Sequence, residues 1–183
     1  MLRKVPCLWL VCALLLACAR EAPPDVEVRV SAVAVDPSSN SPVIVLEEVQ
    51  GSRKLPIWVG FDEARSIAAE LERERPIRPN THDLAKRLID RLEGVVQRVV
   101  VTELLEGIYF ARIELAAQGR SLSVDARPSD AIAIGLRYQA PLFVREPLFA
   151  ESLQEVIGSE GTGHRIDWQT EPAPHRQLRA RSL

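Results

Sequence analysis

The chain has 183 residues, 46% of them hydrophobic and 26% charged, a composition typical of one domain with a sizeable core. Its formal net charge of −2 excludes a global positive field that would hold nucleic acid nonspecifically. The three cysteines all lie within the first 18 residues. Once that segment is removed, disulfide, thiolate and Cys-based zinc chemistry are excluded for the domain that follows.

The first segment, residues 1–17, is typical of a signal peptide. Two basic residues precede an apolar run from Val5 to Cys18, which is shorter than the about 20 residues that a membrane span needs. Its end, Leu-Leu-Ala-Cys, resembles a bacterial lipobox, which implies that Cys18 is lipidated and becomes the mature N-terminus. We therefore expect residues 18–25 to be a tether and the protein to be exported and membrane-anchored, at the outer membrane or the periplasmic face. A plain cleaved signal peptide is the alternative.

Loss of residues 1–17 removes two basic residues and no acidic ones, which leaves 21 basic residues against 25 acidic ones and a net charge of −4. A polyanionic substrate would then need a local basic patch or bound metal ions. At the other end, residues 151–183 are rich in Gly, Pro and polar residues and are expected to form a flexible tail. The folded domain is therefore expected at residues 26–150.

The domain begins with a strand pattern. Apolar and polar residues alternate in VEVRVSAVAV, the turn DPSSNSP follows, and VIVLEEV and LPIWVG predict two further strands. Pro56 in the third strand favours an edge position because proline cannot donate a ladder hydrogen bond.

Two helices are predicted next. FDEARSIAAELER has the helical period and Asp62 is placed to cap it, while THDLAKRLIDRLEG would be capped by Asn80 or Thr81 and closed by Gly94. The second helix carries four apolar residues on one face: Leu84, Leu88, Ile89 and Leu92.

Three adjacent antiparallel strands are expected from VVQRVVVTEL, GIYFARIELAA and RSLSVDA, followed by a third helix and a short strand in PLFV. Strands and helices come in groups and do not alternate regularly. The sequence therefore predicts an α+β fold in one domain, a mostly antiparallel sheet with about three helices packed on one face.

DARPSDAIAIGLR concentrates charge at the start of the third helix. Pro128 suits the first helical position, and Asp130 suits the positive end of the helix dipole. Ser129 could also cap, Asp125 would end a strand and Arg127 would form an ordinary ion pair. Helix initiation alone leaves the second carboxylate and the adjacent guanidinium unexplained.

A second polar cluster, RPNTHDL, contains His82, the only histidine within the expected domain. Asn80 and Asp83 have the spacing of a capping box, so helix initiation is one reading. The other is that His82 acts as a general acid or base, or as a metal ligand. Because helix neighbours point about 100° apart, His82 and Asp83 are not expected to share an ion.

Glu63 lies in the first turn predicted for the first helix, where the dipole alone could favour it. All three clusters thus fall at helix N-termini, which one packed layer could bring to a single edge. No phosphate-binding Gly-rich loop, nucleophile elbow, HExxH or CxxC occurs in the domain. The catalytic groups that remain are carboxylates, whose oxygens suit Mg²⁺ or Mn²⁺ as ligands.

Several separated motifs resemble the bifunctional nuclease domain, whose members are described as acting on both DNA and RNA. They are, in order, LPIWVG, RPNTHDL, VVVTELLEGIYFARIEL, VDARPSDAIAIGLR and PLFV. The resemblance covers roughly residues 26 to 150. It implies a nuclease, although the lipoprotein-like leader and the tail depart from the usual member.

Eight residues match the family motifs and have useful chemistry: Glu63, Thr81, His82, Asp83, Asp125, Arg127, Ser129 and Asp130. By analogy, Asp125, Asp130 and Glu63 would hold a divalent cation, Mg²⁺ or Mn²⁺. Arg127 would contact phosphate and His82 would move a proton, with Asp83 or Thr81 orienting the loop. Ser129 is the remaining catalytic candidate.

The sequence leaves a second class of function open. The same clusters could be helix caps and buried ion pairs in a non-catalytic binding or assembly module at the membrane surface, where a homo-oligomer is also possible. The net charge of −4 favours this alternative, since nothing global attracts DNA or RNA as a substrate.

Overall fold

A computed structural model describes residues 24–150. Within these residues the chain forms seven strands and three helices, and a further helical stretch covers 147–150. In chain order the elements are β1 (Asp25–Asp36), β2 (Ser41–Glu48), β3 (Lys54–Trp58), α1 (Phe61–Leu71), α2 (Thr81–Arg91), β4 (Gly94–Leu105), β5 (Ile108–Ala117), β6 (Arg120–Ala126), α3 (Pro128–Arg137) and β7 (Leu142–Arg145).

The seven strands form one sheet in the order β3-β2-β1-β7-β4-β5-β6. All neighbouring strands are antiparallel except β4 and β7, which are parallel over Val99–Val101 and Leu142–Val144. The predicted α+β fold with a mostly antiparallel sheet is therefore confirmed. β3 is an edge strand, as Pro56 indicated.

The predicted meander is also confirmed, since β4, β5 and β6 pair in sequence. Two-residue turns connect them, Glu106-Gly107 and Gln118-Gly119, and all four residues have positive φ angles of 51° to 77°. Such angles match the right-handed twist of adjoining strands, and glycine adopts them without strain. The turns fix the register that delivers β6 to the start of α3.

α3 is the central helix of the layer, because it packs against α1 and α2 and lies over β4 and β5. Its inner side is apolar, with Ala131, Ile132 and Ala133 fully buried. Gly135 lets the helix approach the sheet closely, since an added Cβ would stand 2.8 Å from Cγ2 of Val99. This packing holds the N-terminal turns of all three helices in fixed relative positions.

Local details of two helices differ from the predictions. Gly60 is the N-cap of α1 and makes no side-chain cap bond, whereas Asp62 lies inside the first turn, where it is exposed and pairs with Arg65. α2 ends at Arg91, and Glu93 takes the positive φ of 57°, so Gly94 opens β4 and does not close the helix.

The apolar face predicted for α2 is largely exposed. Leu84, Leu88 and Leu92 all lie at the surface, and His82 is the buried residue of this helix. The helix thus turns its first, polar turn toward the interior, where it meets Ser66 and Arg137.

The structure does not describe the predicted signal peptide of residues 1–17, Cys18 or the tail of residues 151–183. Of the predicted tether, only Pro24 and Asp25 are described, and Asp25 already belongs to β1. Between residues 24 and 150 no helix is long and apolar enough to span a membrane.

Candidate functional site

The N-terminal turns of the three helices open onto one cleft of about 1090 Å³. Five of the residues singled out from the sequence line it: Glu63, Thr81, His82, Arg127 and Asp130. The expected convergence of the three polar clusters is thus present. It arises because α3 packs against both other helices and brings their first turns to one edge of the layer.

Arg127 is the N-cap residue of α3 and bridges two of the helices. Its Nε donates to Oδ2 of Asp130 at 2.7 Å, and its Nη2 donates to Oε1 of Glu63 at 2.7 Å and to Oδ1 of Asp130 at 3.1 Å. The Arg127 side chain remains 67% exposed, so its guanidinium also faces the cleft. Hydrogen bonds to Asp130 and then to Glu63 hold this guanidinium in place and raise its pKa.

Asp130 also accepts a hydrogen bond from the interior of the protein. Its Oδ1 lies 3.1 Å from Nε2 of the buried His82. Burial opposes ionisation of Asp130, but the hydrogen bonds from Arg127 and then His82 outweigh it and lower the pKa of this carboxyl. Asp130 is therefore an ionised acceptor at neutral pH.

The tautomer of His82 follows from its other partner, Ser66. Oγ of Ser66 accepts from Nδ2 of Asn80 and from Nη2 of Arg137, each at 2.9 Å, so both of its lone pairs are used. The Ser66 hydroxyl hydrogen must then point to Nδ1 of His82, also 2.9 Å away. Neutral His82 consequently carries its proton on Nε2 and donates it to Asp130.

Asn80 holds this arrangement through the predicted capping box, which is confirmed. Oδ1 of Asn80 accepts from the backbone N–H of Asp83 at 2.9 Å, and Oδ2 of Asp83 accepts from the backbone N–H of Asn80 at 3.0 Å. Because Oδ1 is committed to the helix, the Nδ2 group of Asn80 must face Ser66. The cap therefore orients the hydrogen-bond chain behind His82.

Asp83 points away from His82, as the helical geometry predicted, and pairs with Arg137. Nε of Arg137 donates to Oδ1 of Asp83 at 2.7 Å, and the arginine side chain is only 4% exposed. Burial opposes ionisation of Asp83, but the hydrogen bond from Arg137 lowers its pKa overall. The polar N-terminal turn of α2 faces inward because Ser66, the partner of His82, and Arg137, the partner of Asp83, lie beneath it.

Sequence reasoning missed Ser66 and Arg137, and each carries a signal that could have revealed it. Arg137 lies seven residues after Asp130 and hence on the same side of α3. Ser66 follows Glu63 by three residues and interrupts the apolar face of α1. A buried polar side chain requires partners, so such interruptions point to a network.

Three predicted site residues lie outside the cleft lining. Asp125 is an exposed residue of β6, opposite Arg112 on β5. Ser129 is buried in the first turn of α3, and Asp83 lies with Arg137 behind the cleft. The structure thus joins Glu63 and Asp130 through Arg127 and leaves Asp125 apart from them.

The three carboxylates that the sequence predicted as ligands of a divalent cation do not form a ligand cluster in the described part of the chain. Residues 24–150 contain no group of three or more His, Cys, Asp or Glu side chains placed to hold a metal. The guanidinium of Arg127 occupies the position between Glu63 and Asp130, and its charge would repel a cation there.

Fold and cleft define an α+β domain with a fixed, solvent-facing guanidinium beside a histidine–aspartate pair. The chain belongs to the bifunctional nuclease domain family, whose sequence profile matches residues 44–156. This confirms the resemblance carried by the motifs.

The chain is similar to an uncharacterized protein of Mycobacterium tuberculosis, at 41% identity over 126 residues, which covers 69% of this chain and 75% of that protein. It is 34% identical to bifunctional nuclease 1 of Oryza sativa subsp. japonica, over 55% of this chain and 32% of the relative. Bifunctional nuclease 1 of Arabidopsis thaliana is 32% identical, over 64% of this chain and 38% of its own length. The chain therefore spans about a third of the length of these two plant proteins.

Proposed function

We propose that this domain hydrolyses phosphodiester bonds in both DNA and RNA and that the cleft is its active site. The observation that carries the proposal is the exposed guanidinium of Arg127, fixed by two carboxylates beside the His82–Asp130 pair. Family membership supports the reaction class, and the plant relatives are named as bifunctional nucleases.

Arg127 would bind the phosphate under attack. Its Nε and Nη2 are engaged by carboxylates, whereas Nη1 makes no hydrogen bond with residues 24–150. A guanidinium that is already oriented loses little freedom on binding and stabilises the charge that develops on phosphate oxygens. Glu63 acts indirectly, as the residue that holds Arg127 in position.

The His82–Asp130 pair would handle the proton. A water oxygen bonds to phosphorus while the bond from phosphorus to the leaving sugar oxygen breaks. Asp130 takes the proton of that water, and the leaving oxygen takes one from solvent. The Nε2–H of His82 fixes the acceptor carboxylate and stabilises its charge.

The sequence also predicts dependence on Mg²⁺ or Mn²⁺ with Asp125, Asp130 and Glu63 as ligands, which is the alternative to a direct role of Asp130 as proton acceptor. Activity measured after complete chelation, and again during titration with each cation, tests the prediction directly.

Export and lipid attachment at Cys18 belong to the same proposal and rest on the sequence of residues 1–18. Recovery of the full chain in the membrane fraction, and its loss in Cys18→Ser, tests this part.

Arg127→Gln tests the assignment of the cleft. Removal of the guanidinium should lower the rate of hydrolysis of both single-stranded RNA and plasmid DNA by about 100-fold, the usual cost of losing a preorganised charge donor. Arg29→Gln is the matched control, because Arg29 is an exposed, ion-paired arginine of β1 outside the cleft lining. Equal activities in the two variants would remove Arg127 from the site, and an inactive wild-type protein would favour the non-catalytic binding or assembly module.

A further inference from the structure

The connection between α1 and α2, residues 72–80, forms one wall of the cleft, and we refer to it as the arginine arm. Six of its residues line the cleft: Glu74, Arg75, Pro76, Arg78, Pro79 and Asn80. The two prolines restrict the backbone, and the capping box anchors the arm at Asn80. The arm therefore presents its side chains from a constrained backbone.

Two arginines of the arm differ from the other arginines of the cleft. Arg65 and Arg127 are held by carboxylates at 2.9 Å and 2.7 Å. Arg75, by contrast, lies 3.9 Å from its acidic partner Glu70 and is largely exposed, and Arg78 forms no ion pair within the described part of the chain. Most of the donors on Arg75 and Arg78 are thus available to a ligand.

The arm also exposes an apolar side chain between these arginines. Ile77 is 101% exposed, the highest value among the exposed large hydrophobic residues of the described chain. A fully exposed isoleucine next to guanidinium groups suits a ligand that has both apolar faces and regularly spaced negative charges. A polynucleotide strand has that chemistry, with base faces alternating with phosphates.

We infer that the arginine arm binds the strand beside the phosphate held by Arg127, with Arg75 and Arg78 on neighbouring phosphates and Ile77 against a base. This inference rests on the proposed function and adds a surface that binds the strand on the side of the phosphate held by Arg127. The arm also carries Glu72 and Glu74, so it offers no broad positive field. Recognition therefore depends on individual arginines.

The test is binding of a short fluorescent single-stranded DNA to the full chain, measured by anisotropy across a salt titration, with phosphorothioate linkages in the probe so that it resists hydrolysis. Arg78→Gln should weaken binding several-fold and reduce the slope of log affinity against log salt concentration by about 0.7, the loss expected for one phosphate contact on a single strand. Arg75→Gln is a second variant with the same expectation. Arg120→Gln is the matched control, since Arg120 is exposed on β6, outside the cleft lining.

Equal affinities and salt slopes for Arg78→Gln, Arg75→Gln and Arg120→Gln would overturn the inference, as would absence of strand binding by the wild-type chain. Hydrolysis of bis(p-nitrophenyl) phosphate by the wild-type protein separates this failure from failure of the proposed function. A chain that hydrolyses the small diester but does not bind the strand is a phosphodiesterase without this arm function. If the chain binds the strand through the arm but hydrolyses neither the small diester nor the strand, the inference about the arm stands and the proposed nuclease activity is wrong.

Discussion

Ser66 is an uncharged residue on which three polar side chains of the site converge. Its hydroxyl accepts from Asn80 and Arg137 and donates to His82, so one oxygen joins α1, α2 and α3. All of its hydrogen-bonding capacity is used inside the protein. Ser66 is therefore a positioning residue that fixes the ring of His82 and, through it, the carboxylate of Asp130.

Ser66→Ala should lower the free energy of unfolding by about 1 to 3 kcal/mol, because it leaves Nδ1 of buried His82 without a donor. Urea unfolding measures this loss, and the ¹⁵N chemical shifts of the His82 ring report whether Nε2 still carries the proton. Ser123→Ala on exposed β6 is the control and should change stability by no more than about 0.5 kcal/mol. Equal stabilities and an unchanged tautomer in both variants would contradict the network.

Residue-level prediction from the sequence succeeded where the signal was local. Pro128 at the first turn of α3, the Asn80–Asp83 capping box and the ion pair between Arg127 and Asp130 all depend on neighbours within a few positions. The pairs between His82 and Asp130 and between Asp83 and Arg137 join residues 48 and 54 positions apart. No periodic pattern encodes such distant partners.

At the level of elements, α2 shows how far hydrophobic periodicity can mislead. The period correctly predicted a helix, but Leu84, Leu88 and Leu92 lie at the surface. Buried partners for Asn80, His82 and Asp83 determine which side faces inward. The orientation of α2 therefore follows these buried hydrogen bonds and leaves its leucines exposed. α3, whose apolar residues are buried, follows the ordinary rule.

Two truncations compare these helices. Leu88 is 56% exposed and Ile132 is fully buried at 0%, so Leu88→Ala should cost less than about 1 kcal/mol and Ile132→Ala about 2 to 5 kcal/mol in the free energy of unfolding. Urea denaturation of both variants checks the difference. Similar large losses would show that the leucines of α2 are buried in the folded protein.

At the level of the whole molecule, the α+β fold followed from the grouping of strands and helices along the sequence. The position of β7 between β1 and β4 could not be predicted, because pairing of distant strands leaves no local pattern. The convergence of the three polar clusters was expected because each lies at a helix N-terminus that one packed layer could bring to the same edge. The sequence did not indicate that Asp125 lies on an exposed edge strand, β6, outside the cleft lining.

The roles of His82, Asp83, Arg127, Ser129 and the three carboxylates stay predictions, as does the assignment of hydrolysis to the cleft. Asp130 and Asp125 belong to one motif, but only Asp130 lines the cleft. A comparison of these two aspartates therefore separates the cleft from the motif as a whole.

The most direct measurement compares Asp130→Asn with Asp125→Asn in hydrolysis of single-stranded RNA by the full chain, with circular dichroism to show that both variants fold. The same change is made five positions apart in one motif. We expect Asp130→Asn to lose at least about 100-fold in rate, as loss of a catalytic base does, and Asp125→Asn to stay close to the wild type. Equal losses would support the three-carboxylate metal site, and full activity in Asp130→Asn would contradict the account.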